Sequence, residues 1–274
     1  MATVAVRSVR WIAVAGMISA VACSTDTAGI DESAAREPVL ILSDTAASVS
    51  VAASTAIAAH STVVTSAWAG TDAGQVAYIS LPPGTAPSGV TATIRNRVTG
   101  IGLTVAIIDG GFDPVPIAAV AGDVLDIEVR LAGSAAPQMY SLAVPGKRRP
   151  KVVRTNPPRG KRDVALNATI QVVFSEPIDA RTLTGTSVRL EHDGAPVASS
   201  LALEDAARLN VVITPLASFE AGAEYRLIVT QDVRDLDGEP LEAPVTVEFT
   251  TASIGGSAVG RIAFADWNTI SVIN

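Results

Sequence analysis

Ile170-Gln171-Val172-Val173-Phe174-Ser175-Glu176-Pro177 carries an alternating apolar pattern with an abrupt stop. Ile170, Val172 and Phe174 recur at every second position, so one face of an extended strand is apolar. Pro177 ends the run, because proline has no amide to give a ladder. Asp179, just beyond, is placed to cap a short helical turn that tucks Ile178 and Leu183 inward. The same two-residue period returns in Leu209, Val211 and Ile213 before Pro215, in Tyr225, Leu227 and Val229, and in Val245, Val247 and Phe249. Each set buries one face, and residues 150–251 read as one β-sandwich.

Upstream, residues 38–146 show the same habit. Apolar-alternating runs at Gln75 to Leu81, Val90 to Arg95, Leu103 to Ile108, Val124 to Arg130 and Met139 to Val144 are separated by Gly, Pro, Asn and Asp at spacings of about 8 to 12 residues. Pro82-Pro83-Gly84-Thr85, Asn96 to Gly100, Asp109-Gly110-Gly111 and Ala121-Gly122-Asp123 are the turns. The Ala-rich stretch from Ala46 to Ala59 is read as strand. The expectation is therefore all-β: two tandem β-sandwich (Ig-like) domains, the first of no recognised family. Between them, residues 147–154 begin a basic run. Eight of the chain's 20 Lys and Arg lie between Lys147 and Arg162, and the run reads as a solvated joint stiffened by Pro150, Pro157 and Pro158, or as a contact for anionic headgroups.

In order along the second region stand Thr155-Asn156-Pro157-Pro158-Arg159-Gly160, Val164 to Ile170, Val173-Phe174-Ser175-Glu176-Pro177-Ile178-Asp179, Tyr225-Arg226-Leu227, Asp235-Leu236-Asp237-Gly238 and Phe249-Thr250-Thr251. Together they resemble the bacterial Ig-like domain of the S-layer protein (SbsA) type over residues 150–251. The resemblance implies a spacer or interaction module of envelope and extracellular proteins, with no catalytic residues to carry over. Phe174, Pro177, Gly238 and Tyr225 are its structural positions. Phe219 to Tyr225 also fits a tyrosine corner, in which the Tyr225 phenol hydrogen-bonds to a backbone acceptor a few residues upstream.

The first residues bear on location. Met1 to Arg10 carries Arg7 and Arg10 and no acid, and an apolar run from Trp11 to Ala22 follows. That is the layout of an export signal over residues 1–22, and the run is shorter than the ~20 residues a membrane-spanning helix takes. Ala20-Val21-Ala22-Cys23 resembles the lipobox of bacterial lipoproteins, which implies lipid on Cys23 and a membrane as partner. Cleavage by an ordinary signal peptidase after Ala22 is the alternative. Residues 23–37 are small, polar and acidic, as a flexible tether would be.

Composition limits the chemistry. Two His and one Cys cannot supply a zinc site of the His/Cys kind, one Cys cannot close an internal disulfide, and 20 basic against 27 acidic residues argue against nucleic acid as a partner. Asp232, Asp235 and Asp237 before Gly238 fail the calcium-loop register and read as a solvated turn. Asp109, Asp113 and Asp123 read as turn residues. Asp126 and Glu128 share a strand face rather than forming a glycosidase pair. Gly255-Gly256-Ser257-Ala258-Val259 lacks the last glycine of a nucleophile elbow, and Arg148 and Arg162 stand where a phosphate loop needs Ser or Thr. His60 and His192 have no visible partner. No enzyme and no cofactor are expected.

After Thr251, residues 252–259 read as a linker. A hairpin follows, with Ile262, Phe264, Ile270 and Val272 on one face. The segment 260–274 resembles the opening of a TolB-type β-propeller blade. The expectation is a lipid-anchored bacterial envelope protein, periplasmic or surface-exposed, whose modules act as a non-catalytic spacer or interaction surface. Its partner would be an envelope protein or a glycan. The alternative is the anchoring region of a larger enzyme or propeller-bearing receptor continuing beyond Asn274.

Overall fold

The computed structural model describes residues 39–47, 63–66, 75–86, 90–130, 136–205, 207–253, 263–266 and 269–272. All of them belong to one compact unit, Ala35–Asn274. The export signal at 1–22, Cys23, the tether at 23–37, most of the Ala-rich stretch and His60 lie outside the described residues.

The fold is all-β. Strands β1 (Ile41–Ala47), β2 (Val63–Ser66), β3 (Gln75–Leu81), β4 (Val90–Asn96), β5 (Gly102–Ile107), β6 (Phe112–Ala118), β7 (Val124–Arg130) and β8 (Gln138–Ala143) build the first sandwich. One of its sheets has the order β1-β3-β6 and the other β2-β5-β4-β7-β8. Their pairings are all antiparallel. Ile79, Leu81, Ile94, Phe112, Leu125 and Ile127 meet in its core. Of these strands, β1, β2 and β6 have no counterpart among the alternating runs of the sequence, and β6 runs against the sequence most directly. Its Pro114 and Pro116 argue against a central strand, and the structure resolves the conflict by placing β6 at a sheet edge, where a missing amide costs no ladder bond.

The second sandwich is made of β9 (Val152–Asn156), β10 (Ile170–Phe174), a single 3-10 turn at Ala180–Thr182, β11 (Val188–His192), β12 (Ala195–Val197), β13 (Ser199–Leu203), β14 (Asn210–Pro215), β15 (Glu224–Val229) and β16 (Val245–Thr250). Its sheets run β13-β14-β10-β9 and β12-β11-β15-β16. Asp179 caps the 3-10 turn by accepting from the Arg181 amide at 3.0 Å. Ile178 is buried and Leu183 packs on the core. Finally, β17 (Ala263–Asp266) pairs with β18 (Thr269–Val272). In that register Ala265, not Phe264, stands opposite Ile270, one residue off the pairing that a single apolar stripe through Phe264 and Ile270 needs.

Strand β3 positions everything that follows. Ala77, Ile79 and Leu81 enter the first core. Alternation then sends Val76, Tyr78 and Ser80 to the opposite face, which a lone antiparallel sandwich leaves wet. Instead all three are only 1% exposed. Val76 and Tyr78 pack against Leu209, and Ile41 of β1 packs against Val153 and Val173. The outer face of β1-β3-β6 therefore lies on the outer face of β13-β14-β10-β9, and the two sandwiches stack as four sheet layers.

Candidate functional site: the seam between the sandwiches

The second sandwich contributes Arg154 to the seam. Antiparallel pairing puts Arg154 of β9 directly opposite Val173 of β10, and Val173 is a seam residue because its neighbours Val172 and Phe174 face the core. The first sandwich answers with Asp113, which follows the core residue Phe112 in β6. Arg154 Nε donates to Asp113 Oδ1 at 2.5 Å and Nη2 to Oδ2 at 2.7 Å. With side chains only 8% and 4% exposed, this is a desolvated, bidentate ion pair. Asp113, expected as a turn residue, is thus a strand residue that holds the partner sandwich.

A bulge places the second contact. The register of β1 on β3 shifts between Leu42 and Thr45, and the Tyr78 amide takes Ser43 Oγ as its acceptor at 2.7 Å. Asp44, released from the ladder, accepts from the Arg148 amide at 2.7 Å, while Arg148 Nη1 donates to the Leu42 carbonyl at 2.9 Å. Glu176 is buried just past the end of β10, and its Oε1 has no hydrogen-bond partner among the described residues. Burial first, then the Asp44 charge, push its carboxyl up to about 10. Burial, with Asp44 adding to it, also raises Asp235, from the loop after β15. Asp235 is buried, not the solvated turn residue expected. Tyr78 is pushed up to about 12, by burial and then by the Asp205 charge.

Within residues 147–162, Lys147, Arg149, Arg159, Lys161 and Arg162 are exposed, as a solvated joint would have them, while Arg148 and Arg154 are drawn into the seam. Lys147 pairs with Glu239, Lys151 with Glu242 at 2.9 Å, Arg148 with β1 and Arg154 with Asp113. Arg159 Nη2 donates to the Thr246 carbonyl at 2.6 Å. Much of the basic run is spent on this chain's own acids and carbonyls.

Tyr225, Phe174, Pro177 and Gly238 sit apart from the seam chemistry. Phe174 is fully buried and Pro177 buried after it. Gly238 takes φ 87°, and its amide closes a turn onto the Asp235 carbonyl at 3.3 Å. Tyr225 Oη accepts from the Glu220 amide at 2.9 Å, so its backbone partner is a donor, not the expected acceptor. Its ring stacks on His192 at 4.6 Å and touches Phe219. His192, expected to lack partners, binds the Glu224 carbonyl through Nδ1 at 2.8 Å and lies 3.6 Å from Glu220. The Glu224 bond leads in raising its pKa, with Asp193 and Glu220 adding charge.

No pair of acids is set for catalysis on the strand face of Asp126 and Glu128. Asp126 is clamped by Arg97 at 2.5 Å and by Ser141 at 2.7 Å, and Glu128 by Arg130 at 2.8 Å. The Arg97 hydrogen bond holds the Asp126 carboxyl down to about 2. A depression of 490 Å³ lined by Leu183, Val188, Arg189, Pro196 and Leu201 is mostly apolar. Its Arg189 is tied to Glu191 and to the Thr186 carbonyl. The seam can fasten two modules; among the described residues it sets no nucleophile beside a base.

A family model described as a bacterial Ig-like domain matches residues 146–251. No curated protein matches the sequence. Among solved structures, the S-layer protein rSbsC(31-844) is similar at 18% identity and TM-score 0.30, over 38% of this chain. This chain spans 14% of that S-layer chain. PcoC, a copper resistance protein from Escherichia coli, is similar at 22% identity and TM-score 0.30, over 36% of this chain and 97% of that one. The BSP domain of a biofilm associated protein is similar at 12% identity and TM-score 0.27, over 66% of this chain and 28% of that one. The chain thus contains, at residues 146–251, a bacterial Ig-like domain.

Proposed function

We propose that this is a bacterial envelope protein, held to a membrane by lipid on Cys23, whose stacked sandwiches form a stiff, non-catalytic spacer carrying an interaction surface outward. The observation that supports the spacer most strongly is the seam: tandem modules on a free linker swivel, whereas two sheets packed face to face and pinned by the buried Arg154–Asp113 pair move together. Ala20-Val21-Ala22-Cys23 supports the anchor. A single acyl chain holds only marginally at ~0.8 kcal/mol per buried methylene, so stable attachment takes more than one. The Ig-like domain carries no catalytic constellation over to this sequence, and the seam's Arg154 and Asp113 bind each other. Labelling cells with a radioactive fatty acid tests the anchor. Label enters the wild-type chain and is lost in Cys23→Ser; label absent from both, or retained by Cys23→Ser, contradicts it.

A further inference from the structure

Strand β13 is an open edge. The Ala198 carbonyl accepts from the Leu216 amide and the Glu204 amide donates to the Asn210 carbonyl, so the even positions between them turn their backbone groups to β14. Ladder alternation then points the N–H and C=O groups of Ser199, Leu201 and Leu203 outward. Pro215, which has no amide to give, accordingly stands opposite Ser199. Among the described residues nothing bonds these outward groups. Several other sheet edges are blunted: β6 by Pro114 and Pro116, β12 by Pro196, and β1 and β9 by register shifts. Strand β13 has no charge, no proline and no shift against β14. The apolar depression lined by Leu183, Val188, Val197 and Leu201 lies beside it.

The hairpin offers a strand of matching chemistry. Strands β17 and β18 form a sheet of two, which is marginal alone. Their register puts Ile270 and Val272 on one face with Ala263 and Ala265, and β18 has neither charge nor proline. The connection is long enough. Ser253 lies against Gly222, in the loop that leaves β14 at Pro215, where β13 begins on the partner strand. From there residues 254–262 lead to β17 and can span about 30 Å. A hairpin entering from that end runs β17 in the direction of β13 and brings β18 back antiparallel to it. We propose that β18 adds to the open edge of β13, with the face of Ile270 and Val272 over the depression, so that the sheet runs β17-β18-β13-β14-β10-β9 and the chain's own hairpin closes the second sandwich. Main-chain hydrogen bonds hold such a strand, and its alternate aliphatic side chains set the register. This goes beyond the spacer reading and depends on neither the lipid nor the seam.

Amide hydrogen exchange, followed by NMR on the full chain with Cys23→Ser, tests this against the same chain carrying Ile270→Asp and Val272→Asp. Docking requires the outward amides of Leu201 and Leu203 to exchange about tenfold more slowly in the first chain than in the second. The Ala202 amide, turned to β14, exchanges alike in both. Equal exchange of Leu201 and Leu203 in the two chains overturns the proposal. So does protection that rises with protein concentration, which assigns the added strand to a second copy. Should the double variant lose the protection of Ala202, cross-strand nuclear Overhauser contacts between β13 and β18 in a dilute sample of the first chain decide: their presence supports docking and their absence overturns it.

Discussion

Arg154 gives up its water to reach Asp113, so removing one partner strands a charge in the seam. Asp113→Asn is expected to cost about 3 kcal/mol, whereas Asp113→Leu combined with Arg154→Met recovers most of that, because an apolar pair carries no desolvation debt. Urea unfolding of both variants checks this. Tyr225→Phe leaves the Glu220 amide without its acceptor. It should lower stability by about 1–2 kcal/mol, with an unchanged urea slope. Both predictions show where sequence legibility stops. Tyr225 could be singled out from the residues around it, because its partner is five positions away. Asp113 could not, because its partner is 41 positions on and belongs to another sheet. Glu176 likewise reads in the sequence as part of a strand stop, and nothing local says that its carboxyl is buried.

Strands with a clean two-residue period were legible almost to their ends: β3, β7 and β10 have the bounds that alternation gives them. Less regular elements were not. The prolines of β6 and the three-residue β12, Ala195-Pro196-Val197, carry no alternation that marks them as strands. The seam face of β3 was visible as Val76 and Tyr78, yet nothing local says that a second sandwich covers it. Element by element, the stacking makes one prediction. Val173→Asp puts a charge on the seam face of β10 without touching the core that Val172 and Phe174 fill. Calorimetry of the wild type should show one cooperative transition at pH 6, and of Val173→Asp two, since each sandwich keeps its own core. One transition in both would mean that the seam contributes nothing to coupling.

Across the whole molecule, pH acts through the seam. Glu176 is raised from an ordinary carboxyl value to about 10, so between roughly pH 5 and pH 9 the folded chain holds a proton that the unfolded chain has released. Its contribution is complete below the unfolded value and is lost as pH rises toward the folded one. Unfolding free energy should therefore fall with pH by up to about 1.4 kcal/mol per unit from this group, and Glu176→Gln should flatten the slope by that amount. Burial pushes Asp235 and Asp205 in the same direction. Asp126, held low by Arg97, acts oppositely and only at acid pH: its contribution is present above the ordinary carboxyl range and lost as pH falls toward about 2. A stiff spacer requires the two sandwiches to move as one body. Residual dipolar couplings of the Cys23→Ser chain at pH 6 address that directly. A single alignment tensor fitted to residues 90–130 should reproduce the couplings of residues 152–250, whereas two tensors of different magnitude or orientation would show modules on a free hinge and contradict it.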